Sequence, residues 1–401
     1  MSELDFAVIN KSRIGLNFVF ASMGLAAMSA ATRLADIKDS VGVGDSVFGY
    51  ALAAGTIGGL TGNFFSHRII HWLGNNFVIR LAGLLMMTSV AMQSQANSAI
   101  FLGFCTAFAA LGYSIMNVAV NAAGVEVELS IKRSVMPMFH ASWSIGALTT
   151  SLIGNFVAGV STPTTHLFAI WTIAVLGLFF AIHQVTDPNK DLPKPDRRSP
   201  IPWKVRKVLI GISFATALGM VAEGSAYNWS AIYFHEVIGL PIGPNTLGLT
   251  AFLVAQIVGR LVTGKLNDRF GIYLVIRFSA TFGAVAYFLM LILNIYFLQN
   301  SDYQGSTLAL IISMFGFACV GLGVAALPAG YMAGAGRVSG VSPTRAIANV
   351  AVLNTSLAMV FQPILSTLIG SIGLSYALVF AALALLASGY QSKVLAPLSS
   401  N

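Results

Sequence analysis

The sequence predicts an all-α membrane protein whose twelve transmembrane helices form two six-helix pseudo-repeats. Of its 401 residues, 56% are hydrophobic and 9% are charged, whereas a soluble domain carries roughly 25% charged residues. Twelve long apolar stretches follow one another almost from end to end. Nearly every Lys and Arg falls in alternate gaps between these stretches, a pattern typical of membrane insertion.

Each apolar stretch is long enough for one spanning helix, which needs about 20 mostly apolar residues. Most of the gaps are short, so consecutive helices are expected to be antiparallel. The predicted helices cover residues 14–34, 46–66, 77–96, 99–125, 135–160, 166–185, 207–234, 246–266, 272–297, 306–333, 346–370 and 374–394.

The distribution of basic residues predicts the topology. Basic side chains precede the first helix and fill the second, fourth, sixth, eighth and tenth gaps, while the opposite gaps hold only Arg33 and Lys38. By the positive-inside rule both termini are cytoplasmic, and we expect the chain in the cytoplasmic (inner) membrane. The net charge of +8 is therefore a topology signal, and the sequence offers no basic domain that would bind nucleic acid.

The longest polar stretch follows the sixth apolar stretch and predicts a domain boundary. It contains five prolines among charged residues. Proline interrupts helices, and a proline-rich segment is typical of an extended linker. We therefore expect an N-terminal six-helix bundle over 1–185, a cytoplasmic linker over 186–206 and a C-terminal six-helix bundle over 207–401.

The two halves share residues at one fixed offset, which indicates an internal duplication. Four pairs lie 197 positions apart and run from the end of helix 1 to the start of helix 3 in each half. Two parallel six-helix repeats with a site between them near the bilayer midplane are a known transporter design. The pairs are Gly42 and Gly239, Gly62 and Gly259, Gly74 and Gly271, and Arg80 and Arg277.

The best-defined motif is Gly-Lys-Leu-Asn-Asp-Arg-Phe-Gly, which starts at Gly264 between helices 8 and 9. It resembles the G-x-L-x-D-R-x-G loop of the major facilitator superfamily. The resemblance implies the major facilitator fold and a cytoplasmic gate formed by Gly264, Asp268 and Arg269, although an ordinary charged turn is the alternative. Glu126, at the cytoplasmic end of helix 4, is expected to join a gate or to form a surface ion pair, and a substrate site is the alternative. Arg260, toward the cytoplasmic end of helix 8, is a possible further member of the gate around Asp268.

Three further stretches resemble the fucose-permease-like branch of that superfamily. They cover residues 112–126, 139–146 and 223–230, and the second reads Phe-His-Ala-Ser-Trp-Ser-Ile-Gly. This resemblance implies transport of a sugar or sugar derivative. Proton-coupled permeases of the branch tend to carry acids in helices 1 and 4. Here Asn117 stands at the helix 4 position and helix 1 has no acid between Gly15 and Ala35, so another group must carry the proton.

Glu223 is the first candidate for proton coupling, and His140 is the second. Glu223 lies sixteen residues into the seventh predicted helix, about 24 Å along at 1.5 Å per residue. An acid inside a membrane helix is costly and is a functional candidate by default. Arg33, at the end of the first helix, is a possible partner for it. The alternative is a structural carboxylate that is bonded to a neighbouring helix.

Several uncharged polar residues inside the predicted helices are candidates for binding the solute. Asn117 and Asn121 are four residues apart and share a helix face, and their amides suit sugar hydroxyls. His140 and Trp143 share a face of helix 5 and combine a polar donor with an aromatic ring. The alternative for these residues is hydrogen bonding between helices. The full candidate set is Asn117, Asn121, His140, Trp143, Asn228, Gln256 and Asn354.

The sequence thus predicts a secondary active transporter of a small polar solute, proton-coupled and working by alternating access as a monomer in the lipid bilayer. Two alternatives remain open: an exporter of amphipathic compounds and a non-transporting membrane sensor. No enzyme is expected, because neither clustered catalytic residues nor a Gly-Lys-Ser/Thr phosphate loop occurs. No cofactor or metal is expected either, and the isolated Cys105 and Cys319 are interpreted as small hydrophobic residues.

Overall fold

The computed structural model describes residues 3–131, 135–185, 201–298, 303–341 and 343–398, and within them every regular element is helical. The predicted all-α membrane fold is confirmed. Each of the twelve predicted stretches coincides with one helix or with a helix broken in two. Among the described residues, nine helical segments are long and apolar enough to cross a membrane, and Val360–Ile372 is a shorter apolar segment.

The chain divides into two compact units. The first unit comprises Met1–Val43 and Tyr50–Pro193, and the second comprises Gly44–Gly49 and Lys194–Asn401. Residues 186–200, which hold most of the predicted linker, lie outside the described residues, and the eighth helix begins at Trp203 rather than after 206. The predicted boundaries 1–185 and 207–401 stay a prediction.

The helices that begin before the linker are α1 to α7. The predicted first span is broken: α1 ends at Ala27, a 3-10 turn covers Ala30–Arg33, and a short helix continues to Val41. Their bounds are α1 Glu3–Ala27, α2 Leu34–Val41, α3 Asp45–Leu73, α4 Asn75–Met92, α5 Ala99–Ile131, α6 Met136–Val157 and α7 Pro163–Ile182.

Glycines bring the helices of the first unit into backbone contact. A Cβ atom at Gly24 of α1 would lie 2.0 Å from the carbonyl oxygen of Trp143 on α6, and one at Gly146 would lie 2.1 Å from that of Ala21. Real Cβ atoms essentially never come within 3.0 Å of another heavy atom. Only glycine therefore allows α1 and α6 to cross this closely, and this crossing fixes the position of the polar face of α6.

The helices after the linker are α8 to α14, and two of them carry irregular turns. A π-helical turn, Tyr233–Val237, extends α8. The predicted tenth span is broken at Ala326, where Pro328 lies in the first turn of the following helix and has no backbone N–H to donate. The bounds are α8 Trp203–Ile232, α9 Leu247–Phe270, α10 Ile272–Phe297, α11 Thr307–Ala325, α12 Leu327–Gly336, α13 Pro343–Ile372 and α14 Leu374–Gln391.

The glycine pairs at the 197-residue offset occupy equivalent structural positions. Gly42 and Gly239 have φ angles of 66° and 82°, and Gly74 and Gly271, which follow α3 and α9, have φ angles of 81° and 80°. L-residues with a side chain rarely adopt these positive values. The equivalence supports the internal duplication that the sequence indicates.

The third glycine pair makes equivalent helix contacts in the two units. At Gly62 an added Cβ would lie 2.7 Å from the Leu111 oxygen of α5, and at Gly259 it would lie 2.6 Å from the Ala325 Cβ of α11. The second helix of each repeat therefore packs on the fourth helix at the same position. This contact, like the two turns, is expected if both units descend from one repeat.

Candidate functional site

A set of four polar side chains inside the second unit lies between α8 and α9. Glu223 and Tyr227 are four residues apart on α8, and Gln256 and Arg260 are four residues apart on α9, so each pair shares one helix face. Both faces meet, and we call these four residues the Glu223 cluster. The cluster lies about 30 Å along α8 from Trp203 at 1.5 Å per residue.

One oxygen of Glu223 contacts all three other residues of the cluster. Its Oε1 accepts a hydrogen bond from Gln256 Nε2 at 2.8 Å and lies 3.2 Å from Tyr227 Oη and 3.5 Å from an Arg260 guanidinium nitrogen. Tyr227 Oη also lies 3.1 Å from Gln256 Oε1. A hydroxyl donates only one proton, so Tyr227 donates either to the carboxylate or to the amide.

The Glu223 cluster is largely enclosed by protein. Gln256 is 1% exposed, and the side chains of Glu223 and Arg260 are 14% and 30% exposed. The Tyr227 ring packs edge-on against Phe252 with a centroid distance of 5.2 Å. An acid and a base that are this enclosed are stable together only when they compensate each other's charge.

The structure corrects two expected pairings. Arg260, a possible member of the Asp268 gate, pairs instead with Glu223. Arg33, a possible partner of Glu223, has its contacts in the first unit: the guanidinium donates to His166 Nδ1 at 3.0 Å and to the Ala158 oxygen at 2.7 Å, and it pairs with Asp36 at 3.5 Å.

Sequence reasoning missed Tyr227 and misplaced Arg260. Both are four residues from a residue that was singled out, Tyr227 after Glu223 and Arg260 after Gln256. The i to i+4 spacing of a helix face was the available signal. It was not decisive because the pairing of the α8 and α9 faces depends on tertiary packing.

In the first unit, Asn117 and Asn121 form the pair that their spacing predicts. Asn121 Nδ2 donates to Asn117 Oδ1 at 3.0 Å and to the Asn117 backbone oxygen at 2.7 Å. Both side chains are half-buried. The Asn117 side-chain NH2 group and the Asn121 side-chain oxygen take no part in the hydrogen bond between the two residues. The first can donate to the hydroxyl group of a ligand, and the second can accept from it.

His140 and Trp143 lie on one face of α6, as predicted. His140 is exposed and contacts the edge of Phe20 on α1, with ring centroids 5.5 Å apart. Trp143 is half-buried, and within the described residues its indole N–H has no hydrogen-bond partner. A buried donor without a partner costs free energy, and this donor would be satisfied by a ligand or by water.

The two remaining candidates of the solute-binding set lie elsewhere in the second unit. Asn228 follows Tyr227 on α8 and is half-buried. Asn354 of α13 is buried, and its Nδ2 lies 2.8 Å from the Met220 sulfur, while its Oδ1 has no partner among the described residues. The structure therefore brings Gln256 to Glu223 but gives Asn354 a different neighbour.

The predicted gate residues Gly264, Asp268 and Arg269 lie at the exposed end of α9. Arg269 stacks over the Phe270 ring, 5.2 Å from its centroid. An added Cβ at Gly264 would meet no atom of the described residues within 4 Å, so none of the described helices packs closely against this glycine. Glu126 is half-buried near the end of α5, and Lys132 and Arg133 lie outside the described residues.

The described residues contain no group of three or more His, Cys, Asp or Glu side chains that would hold a metal ion. The candidate residues of the first unit are uncharged polar groups and aromatic rings, and those around Glu223 in the second unit include one acid–base pair. Groups of these kinds form hydrogen bonds, and the acid can exchange a proton.

The sequence matches known transporters over most of its length. A relative from Sinorhizobium fredii named as an uncharacterized transporter, y4wD, is 29% identical over 335 residues, which cover 80% of this chain and 81% of that protein. Two solved structures share the fold at 13% identity: the D-xylose-proton symporter, with a TM-score of 0.71 over 97% of both chains, and the nucleoside transporter NupG, with a TM-score of 0.66 over 97% of both chains.

The family model described as Major Facilitator Superfamily matches residues 14–345. This match covers the motif at Gly264, the Glu223 cluster and the helices that carry most of the other candidate residues. The protein is therefore an integral membrane transporter and not an enzyme, and the chain belongs to the Major Facilitator Superfamily.

Proposed function

We propose that this transporter moves a small polar solute, a sugar or sugar derivative, across the cytoplasmic membrane together with protons by alternating access. The single observation that carries the proposal is the enclosed carboxylate of Glu223, which contacts Tyr227, Gln256 and Arg260 inside the membrane-crossing part of the chain. Intramembrane acids of this kind mark ion and proton pathways.

Proton coupling requires a group that can bind and release a proton inside the span. Glu223 is a carboxylic acid in such a position, and its oxygen contacts side chains of the neighbouring helix directly. The relevant contacts are Gln256 at 2.8 Å and Arg260 at 3.5 Å. Uptake or loss of one proton at Glu223 therefore changes the pairing of Arg260, which links the proton to the neighbouring helix.

A polar solute agrees with the groups available in the first unit. Asn117 and Asn121 present amide donors and acceptors, and His140 and Trp143 present a ring face with polar atoms. The alternative, an exporter of amphipathic compounds, would instead use aromatic and Met side chains. The resemblance to the fucose-permease-like branch and the fold shared with the D-xylose-proton symporter further support a sugar or sugar derivative.

We also propose the topology that the basic residues predict. Both termini are cytoplasmic, residues 186–206 form a cytoplasmic linker, and the six-helix bundles 1–185 and 207–401 move during transport of the solute by a monomer. Gly264, Asp268, Arg269 and Glu126 act at the cytoplasmic end as a gate. This proposal rests on the positive-inside rule and on the position of Arg269 at the exposed end of α9.

The first test is solute accumulation in proteoliposomes with an imposed proton gradient, for the wild type and Glu223→Gln. A radiolabelled panel of hexoses, pentoses, amino sugars and sugar acids is assayed. The wild type should concentrate at least one of these solutes above equilibrium. Glu223→Gln should lose concentrative uptake by tenfold or more but still equilibrate the solute, because the site remains while the proton carrier is lost.

Asp39→Asn is the matched control, because Asp39 is an exposed acid in α2. It should accumulate solute like the wild type. Concentrative uptake that survives in Glu223→Gln would rule out the coupling role of Glu223. If the wild type moves no member of the panel, the solute class is wrong, and a wild type that binds a solute without moving it would be a sensor.

A further inference from the structure

The second unit contains a groove that lies away from the Glu223 cluster. It encloses a volume of about 430 Å³ and is formed by α8, α13 and the end of α14. Phe214 of α8 lines it, and Glu223 follows nine residues later on the same helix. Nine residues are about two and a half turns, so the groove and the Glu223 cluster lie on opposite faces of α8.

The walls of the groove are apolar. Ile210 and Phe214 of α8 are four residues apart, and so are Leu353 and Leu357 of α13, so each helix contributes one apolar face. Ile210 and Phe214 are exposed although both side chains are large and apolar. Lipid tails are as apolar as leucine. In a protein that crosses a membrane, these walls therefore suit an acyl chain.

One end of the groove carries a positive charge. Lys207 lines the groove at the cytoplasmic end that we propose for α8 and is exposed. Its Nζ lies 5.5 Å from the centroid of the Trp203 ring, and Trp203 is the first residue of α8. Tryptophan is enriched where membrane helices meet the headgroup layer. The Lys207 ammonium is therefore expected at the depth of lipid headgroups.

The segment that follows α14 brings a second ammonium to this end of the groove. Gly211 lines the groove, and an added Cβ there would lie 3.2 Å from Val394. The adjacent Lys393 has its Nζ 4.2 Å from the centroid of the Tyr390 ring. The described residues of α13, α14 and the segment after it contain no acid, and the first acid of α8 is Glu223. The charge at this end is therefore complementary to an anion.

We infer that this groove binds one anionic phospholipid, with its phosphate at Lys207 and Lys393 and an acyl chain along the apolar walls. Lysine binds phosphate as a point charge, and basic pockets between membrane helices bind anionic headgroups. A neutral lipid would leave the ammonium groups without a counter-charge, and a small anion would leave the walls uncovered. The inference goes beyond the proposed function and does not depend on the solute.

The test measures lipid binding to the purified, delipidated full-length protein by native mass spectrometry. Phosphatidylglycerol is compared with phosphatidylcholine of the same acyl chains, and sn-glycerol 3-phosphate supplies the headgroup without chains. The wild type should bind one phosphatidylglycerol about tenfold more tightly than phosphatidylcholine, because hydrogen bonds to charged groups are the stronger ones. Glycerol 3-phosphate should bind much more weakly than phosphatidylglycerol.

Three variants locate the site. Lys207→Gln should weaken binding of phosphatidylglycerol about tenfold and leave phosphatidylcholine unchanged. Ile210→Trp, which fills the groove, should weaken binding of both lipids. Arg206→Gln is the matched control, because Arg206 is an exposed basic residue at nearly the same depth but about 100° around the helix, and it is not among the residues that line the groove. It should bind phosphatidylglycerol like the wild type.

Equal losses in Lys207→Gln and Arg206→Gln would overturn the inference, because they would indicate a general attraction between basic residues and anionic lipid. Equal binding of the two lipids would also overturn it, as would glycerol 3-phosphate that binds as tightly as phosphatidylglycerol. A wild type that forms dimers and binds no lipid would assign the groove to a second copy of the chain. If Lys207→Gln does not fold, Lys393→Gln replaces it, and unchanged binding of phosphatidylglycerol would overturn the inference.

Discussion

At the scale of single residues, two arginines show how a charge is held inside this protein. Arg260 is held by an acid that a proton can neutralise. Arg33 is 0% exposed and is held by His166, by Asp36 and by oxygens of the segment from Val157 to Ser161. Carbonyl oxygens do not titrate, so most of this second set is permanent. Arg33 is therefore a structural residue in our interpretation, whereas Arg260 belongs to the cluster that we propose for proton coupling.

Arg33→Met should destabilise the protein strongly. The substitution keeps an apolar chain of similar length but leaves the Ala158 oxygen, the Ser161 oxygen and His166 Nδ1 without their donor. Breaking a buried charge pair on one side costs about 3 to 5 kcal/mol. Melting in detergent, followed by circular dichroism, should show a fall of several degrees. Arg277→Met, which removes an exposed arginine, should melt near the wild type, and equal melting of the two variants would contradict the structural role.

Residue types and their spacing predicted the polar faces but not their partners. Asn117 with Asn121, and His140 with Trp143, share faces as their spacing requires. The expected partners of Arg33 and Arg260 were wrong, because His166 and Glu223 lie on other helices and the sequence contains no signal for the rotation of one helix against its neighbour. His166, more than a hundred positions from Arg33, could not have been paired with it by pattern alone.

At the scale of helices, the apolar stretches in the sequence predicted where each long helix lies. The breaks within two of these helices were not predicted and are visible only in the structure. The break after α1 lies beside the residues that Arg33 holds, and the 3-10 turn Ala30–Arg33 has no distinct composition. The break at Ala326 had a visible cause in Pro328, yet a proline near the end of an apolar run is also compatible with a continuous, kinked helix. Hydrophobicity measures the length of a span and says little about its regularity.

The close crossing of α1 and α6 gives a prediction at this scale. Gly24→Ala should destabilise the protein because the new methyl group would meet the Trp143 oxygen at 2.0 Å, and the two helices would have to separate. Overpacking of this kind costs about 1 to 3 kcal/mol. The measurement is the melting temperature of the purified variant, together with its ability to bind solute, since the crossing positions His140 and Trp143.

Gly103→Ala in α5 is the matched control. Its added Cβ would meet no atom closer than 3.7 Å, an ordinary contact. Alanine favours a helix over glycine by about 1 kcal/mol, so this variant should be as stable as the wild type or slightly more stable. If Gly24→Ala melted like Gly103→Ala, the backbone contact between α1 and α6 would not exist.

At the scale of the whole molecule, the repeat is preserved in backbone geometry more than in side chains. Gly74 and Gly271 adopt nearly the same φ, and each backbone N–H donates to the carbonyl oxygen four residues earlier at 2.9 Å. The residues before them differ, since His71 and Trp72 stand where Asp268 and Arg269 stand in the second unit. The duplication thus kept the turns that build each unit, while the charged motif is found in one of them.

The two turns should respond alike to substitution. Gly74→Ala and Gly271→Ala each place a side chain at a φ near 80°, where strain costs about 1 to 3 kcal/mol. We expect equal losses of melting temperature for the two variants, measured side by side. A loss at only one position would indicate that the units do not share this turn. Gly44→Ala, where an added Cβ meets open space and φ is not positive, should have little effect.

The contacts of Arg33 also constrain the order in which the first unit is synthesised and assembled. The Ala158 oxygen that receives its N–H is 125 residues later in the chain, and at 5 to 20 residues per second the ribosome needs roughly 6 to 25 s to reach it. During this interval the first helix has been delivered to the membrane with Arg33 able to pair with Asp36 but lacking its acceptors at Ala158, Ser161 and His166. The nascent chain must therefore keep Arg33 in water or headgroups until α7 emerges, and the first unit closes only after most of its helices have been made.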